Sequence, residues 1–137
     1  MAKNQEDLAN WCLIKAEEYL GSARGNMEND RLYPAAEEIF RAIETVMEAL
    51  LYLNGADKIR YYLRGKQFVG RLALQYLIRD NLLKQRKISK QEHDFYLAAA
   101  SELHQAAYTY GASFDKEELE KHLEWAENLF FKARALQ

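Results

Sequence analysis

The apolar residues of this chain follow a helical period, and nowhere does it give way to the two-residue alternation of a strand. From Pro34 to Asn54, Ala36, Ile39, Phe40, Ile43, Val46, Met47, Leu50 and Leu51 recur every three or four residues, which is one face of a helix. Gly55 supplies the residue that ends it. The opposite face carries Glu37, Glu38, Glu44 and Glu48, most simply a solvated surface. A second stripe runs from Ile88 to Gly111, where Tyr96, Ala100, Leu103, Ala107 and Tyr110 keep spacings of four and three. Ser89 and Glu92 form a capping box at its start, and Gly111 closes it.

The flanking segments repeat the pattern. A first helix is expected from about Asn4 or Gln5 to Asn29, burying Leu8, Cys12, Ala16, Tyr19, Ala23 and Met27, with Trp11 and Leu20 widening the stripe. Asn29-Asp30-Arg31 makes a turn, and Pro34, the only proline, suits a first helical position. A last helix is expected from Asp115, with Glu118 as its capping partner, to about Leu136. It turns Leu119, Leu123, Ala126, Leu129, Phe130 and Ala133 inward. Between Ala56 and Gly65, the residues Ile59, Tyr62 and Leu63 suit a short helical turn, with Gly65 as a break. A third long helix is then expected over Lys66 to Leu83, burying Phe68 or Val69, Leu72, Ala73, Tyr76, Leu77 and Leu82. Short connections leave neighbouring helices antiparallel. The expected fold is all-α: one domain, residues 1–137, an up-and-down antiparallel bundle of four long helices plus a short one.

Several chemistries do not fit these residues. Cys12 is the only cysteine, so no internal disulfide forms, and its apolar neighbours make it a core residue. His93 and His104 lie about 16 Å apart along a helix at about 1.5 Å per residue, too far to share a metal ion. No Glu-x-x-His pair of the di-iron kind occurs, and Gly65 and Gly70 are too sparse to cradle a phosphate. No metal and no cofactor is therefore expected. The chain has no apolar run of about 20 residues for a membrane span, and its first residues lack the apolar core of a signal peptide. A soluble, cytoplasmic protein is expected.

The net charge of −2 conceals a division. From Lys58 to Lys90 there are ten Lys and Arg and one acid, Asp80, a local charge of +9. The remaining residues hold nine basic and twenty acidic side chains, a charge of −11. Such segregation either meets a polyanion or is cancelled by acidic helices packed beside the basic one. Arg79, Lys84, Arg86 and Lys87 are the expected contacts if a polyanion binds.

Short matches run along almost the whole chain in a fixed order. Ala16-Glu17-Glu18-Tyr19-Leu20 precedes Ala23, and Leu32-Tyr33-Pro34-Ala35-Ala36 leads to Ala42-Ile43-Glu44 and Ala49-Leu50-Leu51. Ile88-Ser89-Lys90-Gln91-Glu92, Tyr110-Gly111 and Ala126-Glu127-Asn128-Leu129-Phe130 complete the series. In this the chain resembles the HEPN domains, small helical prokaryotic proteins associated with nucleotides and RNA. The ribonucleases among them carry an arginine and, four to six residues later, a histidine. Another subgroup ends the motif in Asp-Tyr-Gly. On that alignment Gln105 stands in the arginine place, Thr109 in the aspartate place and Tyr110 in the histidine or tyrosine place, with His104 one residue earlier and Tyr108 between. Both catalytic members are replaced. Arg86 and His93 reproduce an arginine, six residues, then a histidine, but a helix-length too early.

The resemblance implies a catalytically degenerate binding module that forms a homodimer and meets a nucleotide or an RNA, through Gln105, Tyr108, Tyr110 and the four basic residues. It further implies a minimal nucleotidyltransferase as partner, in a toxin–antitoxin-like or regulatory pair. The alternative is a metal-independent endoribonuclease using Arg86 with His93, or His104 with Tyr108 or Tyr110. A third possibility is a helical interaction protein whose basic face meets an acidic protein.

Overall fold

A computed structural model describes residues 3–137. They form a mostly helical domain of five helices: α1 Lys3–Glu28, α2 Leu32–Leu53, α3 Gly70–Leu77, α4 Lys90–Ala99 and α5 Lys116–Ala135. No helix among the described residues is long and apolar enough to cross a membrane.

α2 is the central element. All eight residues of its expected stripe are buried, together with Ala35, Ala42, Thr45, Ala49 and Tyr52. α1 lies antiparallel to it, since Gln5 Nε2 donates to the Gly55 carbonyl at one end and Asn26 is bonded to Glu38 at the other. Ala9, Cys12, Leu13, Ala16, Leu20, Ala23 and Met27 of α1 close on α2. α5 is antiparallel to α1, with Arg24 bonded to Glu120 and Glu127 and Arg134 beside Glu17. Its six expected core residues are buried, and so is His122, whose Nδ1 lies 2.7 Å from the Glu118 carbonyl oxygen.

The middle of the chain departs from expectation. In place of a helical turn and the first residues of the third helix there is a hairpin, β1 Arg60–Leu63 paired antiparallel with β2 Lys66–Val69, Leu63 opposite Lys66; the helix itself starts at Gly70 and continues to Leu83. Arg64 and Gly65 both take positive φ, 50° and 77°, as a two-residue turn matched to strand twist requires. The inner face of the hairpin packs Tyr61 and Phe68 onto Tyr76 of α3. Leu72 and Val69, expected in the core, are exposed, while Ala73, Leu74, Ile78 and Leu82 are buried. The hairpin carries the chain back along α2, so α3 runs parallel to α2: Arg71 binds Glu44, and Leu77 lies near Leu51.

Two helices end in π-helical segments, Ile78–Leu83 after α3 and Ala100–Gln105 after α4, where the wider turn replaces the α period. The expected stripe past Ala100 is broken for this reason. Tyr96 and Leu103 are buried, Ala107 is half-buried, and Tyr110 is fully exposed beyond a 3₁₀ turn at Ala106–Tyr108. The capping box at Ser89 is present, with the Glu92 N–H 3.0 Å from Ser89 Oγ and the Ser89 N–H 2.8 Å from Glu92 Oε1.

Three local expectations need correcting. Pro34 is the third residue of α2 rather than the first, still within the turn whose N–H groups have no helical acceptor. Asp115 holds the N-cap position of α5 without a side-chain cap hydrogen bond. Trp11 lies on the outer face of α1, 55% exposed, with the Lys15 ammonium 3.5 Å above its ring.

Candidate functional site

The acidic face of α2 is not simply solvated. Glu38 meets Asn26, Glu48 lies 3.8 Å from the buried Cys12 thiol, and Glu37 and Glu44 belong to a network that joins three helices. His104, delivered by the π segment after α4, is its centre. His104 Nδ1 lies 3.1 and 3.2 Å from the two Glu37 carboxylate oxygens, and Nε2 lies 3.2 Å from Arg71 Nη1. Arg71 Nε in turn donates to Glu44 at 2.8 Å. The guanidinium has no acceptor lone pair, so Arg71 is the donor and Nε2 the acceptor. This leaves the proton on Nδ1, directed at Glu37. Phe40 stacks on the imidazole at 4.9 Å and Tyr108 meets its edge at 5.2 Å.

This arrangement brings together an imidazole, a carboxylate that orients it and a guanidinium, the groups that general acid–base chemistry on a phosphate requires. Arg71 and Glu37 were absent from the sequence-based site because their approach to His104 is tertiary. The network is also closed: each nitrogen of the imidazole has a partner, and Arg71 is held by Glu44.

The other expected residues are dispersed. Tyr108 touches His104, but Tyr110 projects into solvent and Gln105 is exposed. No hydrogen bond joins Arg86 to His93 among the described residues; Arg86 occupies a turn and His93 the first turn of α4. Arg79 and Lys84 are both turned to Asp80, at 2.8 and 3.2 Å, and Tyr61 donates to the same carboxylate at 2.6 Å. The Arg79 hydrogen bond, reinforced by Tyr61 and Lys84, holds the Asp80 carboxyl well below the usual carboxylate range.

Few cations of the basic segment are paired directly with the acidic helices among the described residues. Arg71–Glu44 and Lys90–Asp94 are its ion pairs outside the Asp80 cluster among the described residues. Lys58, Arg60, Arg64, Lys66, Arg86 and Lys87 have no carboxylate oxygen within 4.0 Å among them. Four of these six lie in or beside the hairpin. The sequence-based contacts Arg86 and Lys87 therefore have no carboxylate partner among the described residues, while Arg79 and Lys84 share the single Asp80 carboxylate.

No protein-family model, curated protein or solved structure matches the chain.

Proposed function

We propose that this protein is a HEPN-like RNA-binding module that holds single-stranded RNA on the basic surface of the hairpin and the turn at Arg86. The observation that supports this is the lack of close carboxylates: six cations of one chain segment have no carboxylate oxygen within 4.0 Å among the described residues. Phosphates replacing counterions on such a surface give affinity that falls with salt, by about 0.7 in log–log slope per phosphate on a single strand. A protein using four of these cations should show a slope near −3. Replacing Arg60, Arg64, Lys66 and Arg86 together by glutamine should flatten it, measured by fluorescence anisotropy on a labelled oligonucleotide across a salt series. A slope unchanged in that variant, or no binding at low salt, would favour an acidic protein partner instead. In the same proposal the module is a homodimer that works beside a minimal nucleotidyltransferase.

The contact of Arg71 with His104 favours a second reading, a metal-independent endoribonuclease. Against it, the one imidazole nitrogen able to accept a proton is occupied by Arg71, and Arg71 is tied to Glu44. The network serves better as a strap across α2, α3 and the π segment after α4. Wild-type protein incubated with a mixed single-stranded RNA pool is therefore expected to bind it and leave it uncut. Cleavage lost in both His104→Ala and Arg71→Lys, each still folded, would establish the ribonuclease.

A further inference from the structure

Beside the hairpin, a cleft of about 540 Å³ opens between the end of α2, the loop that follows it, β1, the end of α3 and the middle of the π segment. Its size is within the range of small-ligand sites, and its walls differ in chemistry. Leu51 and Leu77 give it an apolar floor. Lys58 and Arg60 line it as cations with no carboxylate within 4.0 Å among the described residues. Tyr62 offers a ring that is 58% exposed, held in place because its hydroxyl accepts from Arg60 Nη1 at 3.3 Å and donates to Gln67 at 3.1 Å. Two amides complete the wall. Asn54 Nδ2 donates to the Leu50 carbonyl at 2.7 Å, which leaves Oδ1 as an acceptor, and Asn81 has no side-chain hydrogen bond among the described residues.

We propose that this cleft receives one nucleotide, its phosphate on Lys58 and Arg60 and its base over the Leu51–Leu77 floor, against Tyr62 and the two asparagines. An inorganic anion would use the cations and leave the floor, ring and amides without a role. An acidic peptide would bring carboxylates towards Asp57, which also lines the cleft. A nucleobase, by contrast, can donate its N–H groups to Asp57 and Asn54 Oδ1 while its face stacks on tyrosine. The site deepens the RNA-binding proposal and rests on it for one question, whether the nucleotide is free or part of a strand.

Nuclear magnetic resonance titrations of the full chain with 5′-AMP, inorganic phosphate and hexa-adenylate separate the possibilities. 5′-AMP should shift the side-chain amide signals of Asn54 and Asn81, and phosphate should not. Tyr62→Leu and Asn81→Leu should each weaken 5′-AMP about tenfold with unchanged thermal melting, whereas Arg64→Gln with Lys66→Gln should weaken only hexa-adenylate. Competition between 5′-AMP and hexa-adenylate identifies the nucleotide as part of a strand. Binding of 5′-AMP with no competition identifies a free nucleotide. If 5′-AMP leaves both amides unmoved, or binds the two cleft variants as well as wild type, the proposal is overturned. Salt-dependent RNA binding that survives that result would leave the hairpin function standing without the cleft.

Discussion

Arg86 has φ of 59°, a left-handed conformation that most side chains avoid, and it takes it for a definite reason. The Lys87 N–H reaches the Leu82 carbonyl at 2.8 Å and the Arg86 N–H reaches Leu83 at 3.0 Å, the paired bonds that close a helix end. Asp30, with φ of 56°, closes α1 in the same manner, and Gly55 closes α2. Only at Gly55 does residue type announce the conformation, so one of the three helix ends was legible at its left-handed residue. The Ser89–Glu92 box was legible because both its bonds are local, between residues three apart. An arginine at 86 costs stability that glycine would recover. Arg86→Gly should raise stability by about 1 kcal/mol, roughly 3 °C in melting temperature, by relieving the backbone. It should also weaken RNA binding by removing a cation. Thermal denaturation and anisotropy on the same variant test both, and a variant less stable than wild type would mean that the side chain supports the turn.

At the scale of elements, α2 and α5 were readable because each keeps one period from end to end. The hairpin was not, since Arg60–Leu63 and Lys66–Val69 are too short for alternation to stand out, and Arg64-Gly65 lacks the Asn-Gly or Asp-Gly that usually marks such a turn. The π segments defeat a fixed period by construction, and with it the facing of every residue beyond them. The hairpin also explains why Asp80 is placed as it is. The carboxylate ties Tyr61 of β1 to Arg79 of the π segment and to Lys84 just after it, and its single charge offsets one of those two exposed cations. Asp80→Asn should remove that offset, raising RNA affinity a few-fold at low salt and steepening the salt slope by about 0.7. The same change bears on acid stability. Because folding lowers the Asp80 pKa, its stabilisation is present above the unfolded carboxylate range, near 4, and is lost as pH falls through the folded value. Wild type should therefore lose stability more steeply than Asp80→Asn below about pH 4, seen in denaturant melts across pH. Equal pH profiles would show the cluster to be too solvated to matter.

The whole molecule is electrically divided, and that division was legible because it lies along the chain: +9 over Lys58 to Lys90 against −11 elsewhere. Whether the two halves cancel was not legible, because it depends on which carboxylates approach which cations, as the meeting of His104 with Arg71 across thirty-three residues depends on the packing of α3 and α4 against α2. A second property belongs to this scale. Of nine tyrosines, six phenylalanines and two tryptophans, Trp11, Tyr33, Tyr62, Tyr108, Tyr110 and Phe131 remain largely exposed, joined by Ile14 on the outer face of α1. Exposed large apolar side chains gathered in patches mark surfaces that meet another molecule. Trp11 and Ile14 both stand exposed on α1, where a second copy would cover them. The expected assembly is a symmetric dimer, the commonest closed arrangement for a single chain. Multi-angle light scattering at micromolar concentration should give twice the mass of the 16.0 kDa chain. Low salt and high salt should give the same mass, because the covered surface is apolar. A monomer under both conditions would refute the dimer, and a dimer that dissociates only at high salt would place the interface on the charged segments instead.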